Sequence, residues 1–509
     1  MNKQSFTIIL SLFTLTGFLS GCESPQQQRP VAFQAFEHTR LPGYSSQQLE
    51  KDFNLLVSSL KEGHTGLYAY TSQAQFDSLI NARRQLLRDG LNGLAFYNIV
   101  APLVAATRED HCDIHLSEEV KKYMVSDGLF LPLVVINLQE KTYILNDSAD
   151  GTPLKGFELL AVNDLDIKAI KERLFASFGA DGYILTSKYR YLDFRGLAHE
   201  YAKVIDQQKE NTIIVLNPVT QKKETHKLHA ISASALATLH SAVLKTNTIR
   251  QETDRPAQLQ LMPHNTALLS FRTFANSQYR KYQMDFRQFV DSSFRMIAAN
   301  NVSHLIIDMR DNGGGSEGNE DFLFSHLTDQ PYTKYRYVQA ADTNFSFLPY
   351  TDYAAEADQR ELRLELTEEN EWATDGKLYR KSGLYAPAAP RRDAFKGTVY
   401  VLIGGWTYSG GAEFATLMRE HTSAVFIGEE GGGGYSGNTS GTILELTLPA
   451  TGLKIDIPII RFFLDTKKDR FGRGLIPEYA IQPAFTEFIK GYDAELEFAK
   501  KLISAPSSH

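Results

Sequence analysis

Apolar positions recur at helical spacing in three stretches near the front of the chain. Leu49, Phe53, Leu56 and Leu60 share one face over 48–60, Phe76, Ile80 and Leu86 mark 74–87, and 94–104 is more continuously apolar; the spacing predicts three helices. From about Val125 the period shortens toward two. Here 130–137 (FLPLVVIN), 142–146 and 156–163 (GFELLAVN) read as strands, 167–175 as a helix and 212–216 as a closing strand. A helical link over 230–244 leads to strand 267–274, a long helix 278–299 and strand 304–309 (HLIIDM). That order fits an α/β layer with crossover connections. Residues 335–392 interrupt it with acidic and basic blocks and a PAAP stretch, a pattern that reads as an inserted lid or surface excursion. Strand 399–403 then resumes the layer, and 442–448 with 453–459 predict a hairpin around Ala450, Thr451 and Gly452.

Chemistry concentrates where two of these strands end. After 399–403 come Gly404 and Gly405, then Ser409 followed by Gly410 and Gly411, and then a helical spacing over 414–418. A serine at such a strand-to-helix turn has an uncrowded hydroxyl, and the free N–H groups of the helix start can stabilise an oxyanion. Serine is equally a common helix cap, so this stretch alone leaves both roles open. A hundred residues earlier, HLIIDM runs directly into Arg310, Asp311, Asn312, Gly313, Gly314 and Gly315. Glycines there let backbone approach a ligand closely, at the strand end where open α/β sheets place their sites; a plain strand-to-helix turn is the other reading.

LIIDMRDNGGG and TYSGGAEF together, followed by the IGEE strand end at Gly428 and Glu429, resemble the core of the C-terminal processing, or tail-specific, serine peptidases and their tricorn-core relatives. Those families show a D-x-R-x-N-x-G-G run and a later T-x-S-x-x-x-E-F turn, and the likeness extends over about 45–483. It implies a multidomain α/β fold: an N-terminal helical unit, a PDZ-like β-rich domain and an α/β ClpP/crotonase-like core. It also implies a serine-type peptidase with Ser409 as nucleophile and oxyanion donors from Gly410 and from Gly314 or Gly315. A PDZ-like domain would take a peptide as an added strand and hold its carboxylate on Gly128, Leu129 and Phe130; a small β-rich spacer without a ligand is the alternative.

A serine hydroxyl needs a base. One branch of the family uses a lysine about twenty-five residues after the serine; that position here is Gly434, and 429–437 contain no lysine. The resemblance therefore points to the tricorn-like branch, with a histidine from the helical region. His111 in REDHCDIHL matches that position, and an imidazole titrates near neutrality. His64 in GHTGLY competes for the role. The tricorn core places a serine just before its histidine and this chain has Asp110, which either orients the ring or is solvated. For the acidic member Asp465, Asp469 and Glu478 are all near enough in sequence, with Asp469 favoured; His421 reads as a C-terminal helix cap.

The N-terminus stands apart from the fold. Lys3, the apolar run 8–18 and Leu19, Ser20, Gly21, Cys22 resemble a lipoprotein signal, which implies cleavage before Cys22, a lipid anchor on its thiol and a place in the bacterial cell envelope. The organisation expected is a signal over 1–22, a tether over 23–44, a helical domain over 45–120, a PDZ-like domain over 121–225, a core over 226–485 and a C-terminal helix and tail over 486–509. Only two cysteines occur in 509 residues, so no disulfide framework holds the mature chain. With 53 basic and 60 acidic side chains the net charge of -7 supplies no basic field for nucleic acid. No cofactor is implied, and His111, Cys112, His115 is a weak match to a metal site. The partners expected are a polypeptide substrate and a membrane. The same scaffold without catalysis would be a lipoprotein that binds a peptide or an apolar ligand.

Overall fold

The computed structural model describes residues 40–246, 255–385 and 391–505. The signal, the Cys22 anchor, most of the tether and the PAAP stretch lie outside them. Among the described residues no helix is long and apolar enough to cross a membrane.

Three helices open the described chain, Ser46–Gly63, Gln73–Arg84 and Gly93–Ala105. Each begins where a side chain satisfies the free N–H groups of the first turn. Ser45 and Ser72 form capping boxes with Gln48 and Gln75, and Asn92 caps the third. Leu49, Phe53, Leu56 and Leu60 are fully buried, and the apolar cluster they enter runs on into Phe347, Leu446, Ile455 and Ile457. The helical unit is therefore built onto the later hairpin, Ile443–Thr447 with Lys454–Pro458. Buried Asp52 fastens the two. Its carboxylate accepts from Ala450 N (3.1 Å), Thr451 N (2.8 Å) and Thr451 Oγ1 (2.7 Å).

The β-rich unit is an antiparallel sheet in chain order, Val135–Leu138, Lys141–Ile144, Glu158–Val162, Glu210–Leu216 and Lys223–His229, with helix Ile167–Phe175 against it. The last strand escapes a hydrophobic reading because its side chains are mostly polar (KETHKLH). The outer edge of Val135–Leu138, where a peptide would add, is occupied by the chain itself. Phe194 and Val135 exchange backbone hydrogen bonds of 2.6 and 2.9 Å, and Asp193 accepts from Asn137 N at 2.8 Å. The three amides assigned to a carboxylate loop are also taken: Gly128 N donates to Tyr123 O (3.0 Å), Leu129 N to Gln207 Oε1 (3.3 Å) and Phe130 N to Ile231 O (2.9 Å). Gly128, Leu129 and Phe130 thus form no open nest, and the spacer alternative describes this surface better.

The core sheet runs Ala257–Met262, Thr266–Phe271, His304–Asp308, Thr398–Ile403, Val425–Gly428 and Tyr479–Ala480. The first pair is antiparallel and the rest are parallel, so the glycine run and the Ser409 turn leave the same end of neighbouring strands. Alternate residues face two layers. Leu305, Ile307, Val401 and Ile403 pack on Phe294 and Met418, whereas Ile306, Leu402 and Ile427 meet Ala499 of helix Ala494–Ser504. Buried Arg310 locks that helix down through Asp308 and Asp493.

Two expectations change. The helix read over 278–299 is two helices, Asn276–Lys281 and Phe286–Ala299, because Gln283 turns left-handed (φ 55°) and Asp285 caps the second. The interruption at 335–392 begins as core: strand Tyr335–Ala340 pairs with Ile460–Leu464, and Phe345, Phe347 and Leu348 are buried. Replacing Asp52 by Ala strands the N–H groups of Ala450 and Thr451, the second of them buried, and a loss of about 2–4 kcal/mol is expected. Urea unfolding at pH 7 measures it.

Candidate active site

Ser409 occupies the N-cap of helix Gly410–His421 but makes no capping bond. Its backbone sits at φ 52°, ψ -128°, outside the basins that an L-residue prefers, at a cost on the order of 1–3 kcal/mol. Such strain recurs where a nucleophile is held on a sharp strand-to-helix turn. Glycines make the turn possible. A Cβ on Gly314 would lie 2.7 Å from both Ser409 Cβ and Gly410 N. One on Gly411 would lie 2.3 Å from Asn312 O, the carbonyl that accepts from Tyr408 N at 3.0 Å.

The hydroxyl meets an imidazole from the other end of the chain. His111 Nε2 is 3.3 Å from Ser409 Oγ, across 298 residues of sequence. Burial lowers the pKa of His111 while Asp181, Glu413 and Asp456 pull it back up, and the net is a fall. The ring is therefore neutral near pH 7, the state a proton acceptor requires. Its other nitrogen, Nδ1, lies 2.6 Å from the Tyr408 phenol, and the rings stack at 4.8 Å.

Backbone architecture delivers the ring. Asp181 accepts from Asp110 N at 3.0 Å with one carboxylate oxygen and from Gly434 N at 2.9 Å with the other. Beyond His111 the chain enters the hairpin sheet, Ile114–His115 pairing with Lys454 and Ile455. Cys112 is buried, and burial pushes its thiol well above the ordinary range, so it is inert.

The remaining candidates fall in different places. Asp469 is exposed, and the atom on His111 Nδ1 is a phenol oxygen, so Asp469 takes no part in orienting the ring. Asp465 faces Arg336 and Glu478 is paired with Arg419. His64 is buried, neither ring nitrogen has a partner, and burial pushes its pKa down to about 3. It stands beside Arg461 and makes no hydrogen bond to the serine. Of the oxyanion candidates, Gly314 N already donates to Asn312 Oδ1 at 2.9 Å. Gly410 N opens its helix without an intrahelical acceptor, and Gly315 and Gly410 line, with Ser409, a cavity of about 60 Å³.

A buried charge cluster supports this cavity, and no local pattern announced it. Lys334 contacts Glu413 at 2.6 Å and also Glu320, and both carboxylates border the cavity. Asn438 donates to Glu413 at 2.9 Å. Burial alone would neutralise Lys334, but the carboxylates around it raise its pKa well above the ordinary value. It is a fixed cation and cannot serve as a base.

Residues 265–481 match the model of Peptidase family S41. Mature CPAF complexed with lactacystin is similar in structure, with 14% identity and a TM-score of 0.61 over 90% of this chain and 98% of its own. Mature CPAF alone gives 14%, 0.59, 90% and 97% in the same order. The photosystem II D1 C-terminal processing protease aligns at 11% identity and a TM-score of 0.41, over 91% of this chain and 98% of its own. At these identities the likeness to CPAF establishes the fold. No curated protein matches the chain in sequence.

Lys334→Met should cost about 3–5 kcal/mol at pH 7, because two buried carboxylates lose their counterion. Without the ammonium their pKa values rise, so the penalty should shrink as pH falls toward 5 and they protonate. Urea midpoints at the two pH values test both parts.

Proposed function

Because residues 265–481 form a serine-peptidase domain of family S41, we propose that this chain hydrolyses peptide bonds of exported polypeptides through Ser409, with His111 as base. The observation that carries the reading is the 3.3 Å approach of His111 Nε2 to an uncapped, strained serine. In the first step Ser409 Oγ attacks the scissile carbonyl carbon while Nε2 takes its proton. The carbonyl oxygen, now negative, lies in reach of Gly410 N and Gly315 N at the cavity wall. His111 then passes its proton to the departing amine as the C–N bond breaks and an acyl-enzyme remains. A water, deprotonated by the same nitrogen, releases the acid and restores the serine.

The address belongs to this proposal as well. Leu19, Ser20, Gly21 and Cys22 after a short apolar run support a lipid anchor on Cys22 and a working site at the bacterial cell envelope. With the edge of Val135–Leu138 self-paired, substrate selection falls to the cleft around Ser409 rather than to capture of a peptide tail on that sheet.

A fluorophosphonate probe, applied with and without a peptide substrate, tests the reading. Wild type and His64→Leu should label, and Ser409→Ala and His111→Ala should not. Gly314→Val should lose turnover by a hundredfold or more, because a Cβ there would stand 2.7 Å from Ser409 Cβ and displace it. Equal labelling of His111→Ala and wild type would remove His111 from the mechanism. A wild type that neither labels nor cleaves would leave a peptidase scaffold used for binding.

A further inference from the structure

The residue before the nucleophile is a half-buried tyrosine whose phenol is shared. Tyr408 Oη is 2.6 Å from His111 Nδ1, and the two rings lie nearly parallel, 22° apart. On its other side the Asp110 carboxyl adjoins the same phenol. Four groups therefore form one line, Asp110, Tyr408, His111 and Ser409, reaching from the helical unit to the nucleophile.

The direction of that line follows from the number of protons in it. An ionised carboxylate only accepts. Facing one, Tyr408 gives its O–H to Asp110 and accepts the proton of Nδ1, which leaves Nε2 bare toward Ser409. Facing a protonated Asp110, the phenol receives that proton's hydrogen bond and turns its own O–H to Nδ1. The ring proton is then on Nε2, pointing at the serine oxygen, and the imidazole has no lone pair there to take a proton.

Resting on the serine–histidine reading, we propose that Tyr408 and Asp110 are positioning residues that set the tautomer of His111, the phenol standing where an acidic side chain would otherwise meet Nδ1. Only the proton of Ser409 moves in the attack. His111 keeps its Nδ1 proton on Tyr408 as it becomes an imidazolium, and Asp110 balances that charge through the phenol.

The surroundings bear on when this arrangement holds. Burial, then Asp181 and Asp113, raise the pKa of Asp110, against the pull of Lys188 and of the Tyr408 phenol, to about 8. Asp181, Glu413 and Asp456 face His111, and Asp110, Asp181 and Glu109 face the phenol. The competent tautomer needs Asp110 ionised, so activity should fall as pH drops below about 8. His111 itself titrates lower than a free imidazole and is not the source of that limb.

The experiment is the rate of fluorophosphonate labelling at Ser409 from pH 6 to 10 in the full chain, for wild type, Tyr408→Phe and Asp110→Asn. Phenylalanine keeps the stacked ring and asparagine keeps the shape, so each variant checks the other. Expected are a wild-type profile with an acid-side limb near pH 8, and variants labelled about tenfold to a hundredfold more slowly with that limb gone. Variants that label at the wild-type rate, or more slowly with the limb retained, overturn the assignment, the latter showing packing only. A wild type that stays unlabelled at every pH removes the serine–histidine reading, and this assignment falls with it.

Discussion

The candidate site exists because one carboxylate holds two distant pieces of backbone together. Asp181 grips Asp110 N with one oxygen and Gly434 N with the other, and so fixes the loop that carries His111 to the backbone at Gly434. Both bonds run from a backbone N–H to a carboxyl that is itself buried. Without them the ring would ride on a loop from a separate helical unit, and the entropy of ordering that loop would oppose every approach to the serine.

The strap that bears Asp181 has a second attachment. From Asp181 it passes over the core, where Thr186 O and Arg190 Cγ would each meet a Cβ on Gly405 at 2.6 Å. It ends at Asp193 and Phe194, paired with the edge of Val135–Leu138. One short segment thus closes the sheet edge, covers the turn before the nucleophile and positions the histidine loop.

Sequence spacing revealed the parts of the site that are local. Ser409 and its glycines, the Gly313 to Gly315 run and the strands that precede them lie in contiguous stretches whose periodicity and turn residues have direct physical meaning. His111 was reachable only through family likeness and the absence of a lysine near Gly434, since nothing in REDHCDIHL places it beside residue 409. Asp181, Tyr408 and Lys334 carried no such signal, because their roles arise from contacts between segments far apart in sequence. Asp469 failed for the same reason in reverse: an offset from the serine says nothing about whether the chain turns its carboxylate inward. The apolar spacing over 278–299 is continuous and hides the break at Gln283, because a single left-handed residue leaves that spacing unchanged.

Gly434 stands where the resemblance would put the lysine of the other branch, and its own amide is one of the two ends that Asp181 grips. A Cβ at that position would be 2.5 Å from Gly437 O and 3.6 Å from the Asp181 carboxylate. Installing lysine there would therefore unfasten the imidazole in the act of supplying a replacement for it.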